Sequence, residues 1–324
     1  MRIESQKSKV KSLRLIVGLL FLLVFTLLLA VLLGSERLSF FDLSESQKII
    51  LFEIRLPRVL LAASVGACLA VAGAAFQALL RNPLAEPYLL GISNGAALGT
   101  MFAFVFLGQF DFLRPVMAFA GAVLATFAVY QMAKSRAGMN TERLVLSGVI
   151  VTTFLSSIIV LLTTLLDATK LRSFTFWLLG DLSQATPNSF YLAGITAIIG
   201  TLILTATARS LNLMMLGERD AFDFGVEVQK TRLIVFATAS ALVGISVASS
   251  GSVGYVGLVI PHIVRLKIGS DNRNVIPATA IVGAVFVVLA DTIARTAIAP
   301  RELPVGAITA LIGAPMFIYL LRKN

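Results

Sequence analysis

Charge is what this sequence has least of. Of its 324 residues, 14% are Asp, Glu, Lys or Arg, where a soluble chain carries about 25%. Apolar residues make up 57%, and apolar stretches long enough to cross a hydrocarbon core of about 30 Å recur from Leu13 to Leu321. An ordinary soluble enzyme is thereby excluded. The expectation is an all-α polytopic membrane protein, since a helix satisfies its own backbone inside lipid. The single cysteine, Cys68, excludes an intrachain disulfide and a Cys-based metal cluster. It sits in LLAASVGACLAVAGAAF and reads as a small buried hydrophobe. With one histidine, His262, far from that cysteine in sequence, neither a metal site nor a cofactor is expected. Nucleotide-binding GxxxxGK[ST] and the metalloprotease HExxH are both missing. The chain is expected to have no catalytic residue and not to be an enzyme.

Charges, prolines and glycines divide the apolar runs into ten spans, at 13–33, 59–80, 88–108, 112–133, 144–166, 190–208, 232–250, 253–268, 275–299 and 305–321. The eighth is the shortest. The first follows a basic stretch but exceeds a signal-peptide core, and reads as a retained helix. The expectation is thus one transmembrane domain over residues 1–324. Ten spans put both termini on one side, and Lys and Arg favour that side by roughly two to one, which predicts cytoplasmic termini. The net charge of +10 then faces anionic lipid headgroups, and no nucleic-acid partner is needed to explain it.

Three loops exceed simple turns. Residues 35–58 on the outer face hold an amphipathic stretch near Ser46–Ile54, and residues 209–231 on the inner face read RSLNLMMLGERDAFDFGVEVQKT. Residues 167–189 on the outer face contain the one tryptophan, Trp177, which with Phe174 and Phe176 reads as an interfacial anchor. Small residues recur at helical spacing: Gly66, Ala70 and Ala74 in the second span, Gly95 and Gly99 in the third. They suit close helix packing. Gly251, Gly254 and Gly257 followed by Pro261 predict an interrupted or short helix, and RNPLAEPYLLG at 81–91 has the same character. Broken segments in both halves point to a transport path built from inverted repeats, here helices 2–5 against 7–10. His262, directly after Pro261, reads as a group near a helix start or break, satisfying local backbone, or else as part of a gate.

Ionisable residues deep in the spans would indicate ion coupling. The best candidate is Asp291, toward the outer end of its span. Arg295 lies four residues later on the same helix face, so a local ion pair explains it. An ion-gradient-driven secondary transporter is the alternative reading, and activity without a partner would distinguish it. Energy from another polypeptide fits the sequence better.

Four separated blocks now bear on the family. IRLPRVLLAASVGACLAVAGAAFQALLRNPLAEPYLLGISNGAALG, GYVGLVIPHIVRL with GSDNR, ADTIAR, and ELPVGAITALIGAPMFIYLL occur in that order. Over residues 51–322 the chain resembles the FecCD family, the permease subunits of binding-protein-dependent ABC importers for iron-siderophore complexes, haem and vitamin B12. The resemblance implies the type II importer permease fold and a bacterial inner-membrane location. It also implies a homodimer or a pair of related permeases, two cytoplasmic ATPase subunits and an extracytoplasmic solute-binding protein.

The resemblance also carries residue roles. Arg55, Arg58 and Arg295 match outer-face arginines that dock the binding protein, and they fall on the outer side of the charge count. Asn82, Leu84, Asn140 and Thr141 match cytoplasmic gate positions. Gly217, Ala221 and Gly225, within the 209–231 loop, match the ATPase-coupling element of two short helices. Asp223 and Phe224 depart from that pattern, being more acidic and larger than it leads one to expect.

Overall fold

A computed structural model describes residues 2–34, 44–107, 112–135 and 138–323. Nearly all of the described chain is helical. Each of the ten sequence spans falls on a helix: α1 (Arg2–Leu32), α3 (Leu56–Leu79), α4 (Ile92–Phe106), α5 (Leu113–Ala133), α6 (Thr141–Thr163), α8 (Pro187–Ala206), α11 (Val228–Ser250), α12 (Val256–Ile268), α13 (Asn272–Thr296) and α14 (Val305–Lys323). Short helices join them: α2 (Glu45–Ile49), α7 (Ala168–Leu178), α9 (Ala208–Leu216) and α10 (Glu218–Asp223). A two-residue-per-strand hairpin, β1 (Lys134–Ser135) with β2 (Gly138–Met139), links α5 to α6. By length and composition, 6 helices among the described residues can cross a membrane alone, and α4 and the apolar parts of α1 and α14 are shorter.

The amphipathic stretch of the first long loop is not a loop. Residues 44–55 form α2 and a π-helical turn that run straight into α3, making one helical rod from Glu45 to Leu79. Ser44 starts it with a capping box, its hydroxyl accepting from the Gln47 N–H while the Gln47 side chain accepts from the Ser44 N–H. Residues 35–43 of that loop lie outside the described residues.

Helix α3 is the axis of the bundle. It packs on α13, α8, α11 and α12, and most of its side chains are fully buried. Its small residues make this possible. A Cβ on Gly66 would meet the Gly283 carbonyl of α13, one on Gly283 would meet the Gly66 carbonyl and the Ala70 methyl, and Gly73 lies against Gly257 of α12. Gly95 and Gly99 of α4 meet Gly121 and Met117 of α5 in the same way. Both small-residue stripes therefore serve backbone approach. Cys68 is buried, its thiol facing the Ala193 carbonyl at 3.7 Å.

The periphery is apolar too. Phe21 and Phe25 on α1, Leu124 on α5, Phe154 on α6 and Leu202 on α8 are all exposed. Water would disfavour such a surface, while hydrocarbon accepts it, which is how a polytopic membrane protein presents itself to lipid. Phe174 is not an interfacial anchor. It is buried in a second apolar cluster, edge-on to Phe104 at 6.0 Å and stacked on Trp177 at 6.3 Å, while Phe176 stays exposed.

Candidate functional site

At one end of the bundle, five charged side chains from distant parts of the chain meet. Arg58, near the start of α3, donates through Nε to Asp291 of α13 at 3.0 Å and through Nη1 to Glu302 at 2.8 Å. Asp291 is also 3.1 Å from Nε of Arg295, at ion-pair distance though not aligned as a hydrogen bond. Arg295 donates to the carbonyls of Ala30 and Leu33, and Arg55 to those of Val31 and Leu32. Two guanidinium groups thus satisfy four carbonyls that the last turn of α1 leaves without helical partners, and place positive charge at its negative dipole end.

The three arginines are not the open surface cations that outer-face docking led us to expect. Arg55, Arg58 and Arg295 are 5%, 6% and 7% exposed, and Asp291 is 1% exposed. Buried charge requires partners, and here helix packing supplies them. The Asp291–Arg295 pair anticipated from spacing is present. The Arg58 and Glu302 partnerships were not anticipated. Glu302 is the half-exposed member of the group. Because α1 ends and α14 begins at this end, the start of α1 and the end of α14 lie toward the other.

At that other end, Asn140 and Thr141 line a polar cavity of about 440 Å³ with Arg81, Glu142, Glu218, Gln229 and Arg232. Asn140 caps α6, accepting from the N–H groups of Glu142 and Arg143 at 2.8 and 3.2 Å. Asn82 and Leu84 do not line the cavity. They form the adjoining turn after α3, where the Asn82 carbonyl side chain accepts from the Leu84 N–H at 2.9 Å and Leu84 is exposed. The four gate positions from the sequence are thus neighbours of one cavity but not all part of its wall. Arg81, Glu218 and Arg232 complete the group. Arg81 opened the broken segment 81–91, Glu218 lay in the 209–231 loop and Arg232 began a predicted span, so no shared sequence signal joined them.

The 209–231 loop folds as α9, α10 and the first turn of α11. Ala221 is fully buried and holds α10 down. Gly225 has φ 81°, the left-handed region that favours glycine, and its N–H closes the end of α10 on the Phe222 carbonyl at 2.8 Å. Gly217 is extended and needs no such freedom. A Cβ there would come within 2.9 Å of the Asp220 carboxylate. Leu216, Phe222 and Phe224 project at 75%, 72% and 73% exposure beside Asp220 and Asp223. Helix α9 is tied to the GSDNR segment. Asn212 donates to Asp271 at 2.7 Å and accepts from Asn272 at 2.8 Å. The Arg273 side chain, then burial in opposition, then Asn212 act on Asp271, whose carboxyl is held down to about 2.

Between the two ends the broken segments of both halves meet. The Tyr88 hydroxyl donates to the Val253 carbonyl, the Tyr255 N–H donates to Glu86 at 3.3 Å, and the Ser93 and Ser252 hydroxyls are 3.4 Å apart. Pro261 does not start or end a helix. It lies inside α12, where it lacks the N–H that Gly257 would otherwise receive. Gln77 of α3 fills the gap, its Nε2 donating to the Gly257 and Leu258 carbonyls at 3.5 and 3.2 Å. His262 is likewise interior to α12 and sits edge-on to Phe317 at 6.1 Å, so it does not cap a break. Among the described residues, no three His, Cys, Asp or Glu side chains converge as a metal site needs.

Taken together, a helical bundle with a lipid-facing periphery, interrupted helices meeting inside it and an exposed helical element at one end defines a membrane transport protein. Comparison with known proteins agrees. The model of the FecCD transport family matches residues 22–323. The cobalamin import system permease protein of Halobacterium salinarum is 41% identical over 88% of this chain and 76% of its own. The hemin transport system permease protein of Yersinia pestis is 39% identical over 96% of each chain. A solved structure described as a metal-chelate type ABC transporter in an inward-facing conformation superposes with a TM-score of 0.88 at 33% identity, over 96% of this chain and 99% of that one. The chain belongs to the FecCD transport family. It is the membrane permease component of an ABC importer and carries no catalytic site, ATP hydrolysis residing in a separate partner.

Proposed function

We propose that this permease forms the translocation pathway for a large metal chelate, an iron-siderophore complex, haem or cobalamin, working with a second copy of itself, two ATPase subunits and a solute-binding protein. The ten helices would all act as spans, with helices 2–5 and 7–10 as inverted repeats and both termini in the cytoplasm of a bacterial cell. The names of the relatives support the cargo class: cobalamin in Halobacterium salinarum, hemin in Yersinia pestis and vitamin B12 in Escherichia coli.

The observation that carries the coupling assignment is α10. Phe222 of this helix, too short to span anything, and Phe224 just after it stand mostly exposed next to acidic side chains. Exposed aromatics with a polar rim are what a partner groove covers. The ATPase would grip here, around Gly217, Ala221 and Gly225, and a push on α9–α10 would move packed helices between discrete states. Asn82, Leu84, Asn140 and Thr141 would form the cytoplasmic gate. The binding protein would dock at the opposite end. There Arg58 already holds the half-exposed Glu302, and an incoming carboxylate could replace it, while Arg55 and Arg295 would hold the surface in shape.

The test is assembly and uptake. The permease is co-expressed with candidate ATPase and binding-protein subunits, and Gly225→Val and Phe222→Asp are compared with the parent. Co-purification of the ATPase should fall about tenfold or more for each variant, as for removal of a buried anchor. Uptake of haem, cyanocobalamin and a ferric siderophore into vesicles then assigns the cargo. Undiminished assembly in both variants would remove the coupling role from α10.

A further inference from the structure

The cavity beside Asn140 contains an arrangement that no part of the sequence reading foresaw. Glu218 is the first residue of α10. One of its oxygens, Oε1, accepts from Nη2 of Arg232 at 2.5 Å and lies 3.2 Å from Nη2 of Arg81. Arg232 in turn donates through Nη1 to the Met139 carbonyl, and Met139 immediately precedes Asn140. Arg81 immediately precedes Asn82. A single carboxylate oxygen therefore stands between the two gate segments, which otherwise belong to separate helices, and joins both to the element proposed to meet the ATPase.

The two arms differ in kind. The Arg232 side chain is 3% exposed and also holds the hairpin carbonyl, so parting from Glu218, itself 46% exposed, would leave a buried cation uncompensated, which is strongly unfavourable. The Arg81 side chain is 40% exposed, and its contact is a water-accessible ion pair of the weak kind. Arg81 also has φ 50°, in the left-handed region that residues other than glycine rarely adopt. Such a conformation persists where its surroundings enforce it and gathers at sites that switch. A cavity of about 440 Å³ leaves the Arg81 side chain room to leave and return.

We propose that Glu218 is a positioning residue that moves with Arg232 and makes and breaks its contact with Arg81 as the gate closes and opens, an inference that rests on the coupling role proposed for α9–α10. Movement of α10 reaches the 139–141 segment through the permanent arm and the 81–84 turn through the breakable one. With both arms made, the two gate segments are held together. With the Arg81 arm broken, they separate.

The experiment uses the full permease–ATPase complex in proteoliposomes with its binding protein, and reads haem or cyanocobalamin moved per ATP hydrolysed. Arg81→Gly removes the breakable arm and also relieves the backbone strain. It should leave ATPase association intact and the melting temperature no lower than the parent's, while transport per ATP falls roughly fivefold, within the range reported for coupling residues. Arg81→Lys, which keeps a cation, should recover most of the loss. Glu218→Gln alone should lower transport per ATP at least as far as Arg81→Gly, since it weakens both arms. Unchanged transport per ATP in Arg81→Gly would overturn the inference, as would a loss matched by a drop in melting temperature. If the parent complex assembles and transports, either result leaves the proposed function standing. If the parent binds no ATPase through α9–α10, that reading fails first and takes this one with it.

Discussion

Tyr88 and Val253 exchange two hydrogen bonds: the phenol donates to the Val253 carbonyl at 3.0 Å and accepts from the Val253 N–H at 3.0 Å. The two residues lie in the interrupted segments of opposite halves. An extended stretch of backbone inside a bundle needs partners for its polar groups, and here one side chain serves both groups of one residue.

Tyr88→Phe should therefore be costly out of proportion to the atom removed. It strands a buried N–H and a buried carbonyl together, a loss of about 2–6 kcal/mol at a typical 1–3 kcal/mol per unsatisfied group. Unfolding in detergent measures it, with Ser93→Ala as the comparison. The Ser93–Ser252 contact is long at 3.4 Å, so its removal should change little. Equal effects of the two substitutions would show that the exchange carries no special weight.

Asp291 is the shared partner of two buried cations. Replacing it with Asn leaves Arg58 and Arg295 undercompensated, and loss of one member of a buried ionic group costs about 3–5 kcal/mol. Adding Arg58→Met should recover part of that loss by removing a stranded charge. A thermal-unfolding series of the parent, the single and the double variant reads the pattern. A double variant less stable than Asp291→Asn would refute the shared-partner account.

Asp271 gives a dependence on pH. Its folded-state carboxyl is held down to about 2 from an ordinary 3.8, chiefly by the Arg273 side chain. A depressed folded value means the ionised form stabilises the folded state. That contribution is complete above the ordinary value and is lost as pH falls from 3.8 through 2. The link from α9 to α13 should thus weaken only in that acid window. Melting temperatures taken down the window should fall more steeply for the parent than for Asp271→Asn, which has no carboxylate to lose. Parallel slopes would exclude the residue as the source.

Orientation is testable by labelling. In a Cys68→Ser background, single cysteines at Ser5 and Ser46 probe the two ends of the bundle. Ser46 is exposed and, unlike Ser44, caps nothing. With cytoplasmic termini, a membrane-impermeant thiol reagent on intact spheroplasts should label the Ser46 position and spare the Ser5 position. The reverse pattern would invert the topology.

The sequence by itself determined the class of molecule and the places where its helices run. Length and hydropathy are local properties, and a lipid-facing or buried helix needs nothing more than about 20 apolar residues to announce itself. The small residues at Gly66, Gly95 and Gly99 were legible for the same reason, since helical spacing is visible in a string. The breaks at 81–91 and 251–255 were legible too, because Gly and Pro act on their own backbone. Tertiary structure alone decided what meets what. Arg58 finds Asp291 and Glu302 across 233 and 244 residues, and no local pattern encodes such a distance. Counting charges by loop put Arg55, Arg58 and Arg295 on one common side but could not tell exposed from buried, because burial depends on which helix packs over the guanidinium. Gly251, Gly254, Gly257 and Pro261 predicted an interrupted or short helix, and α12 is short at 13 residues; only the fold brought Gln77, 180 residues before Gly257, to donate to the carbonyl that Pro261 leaves unpaired. Glu218 was one acidic residue in a polar loop until folding set it between Arg81 and Arg232.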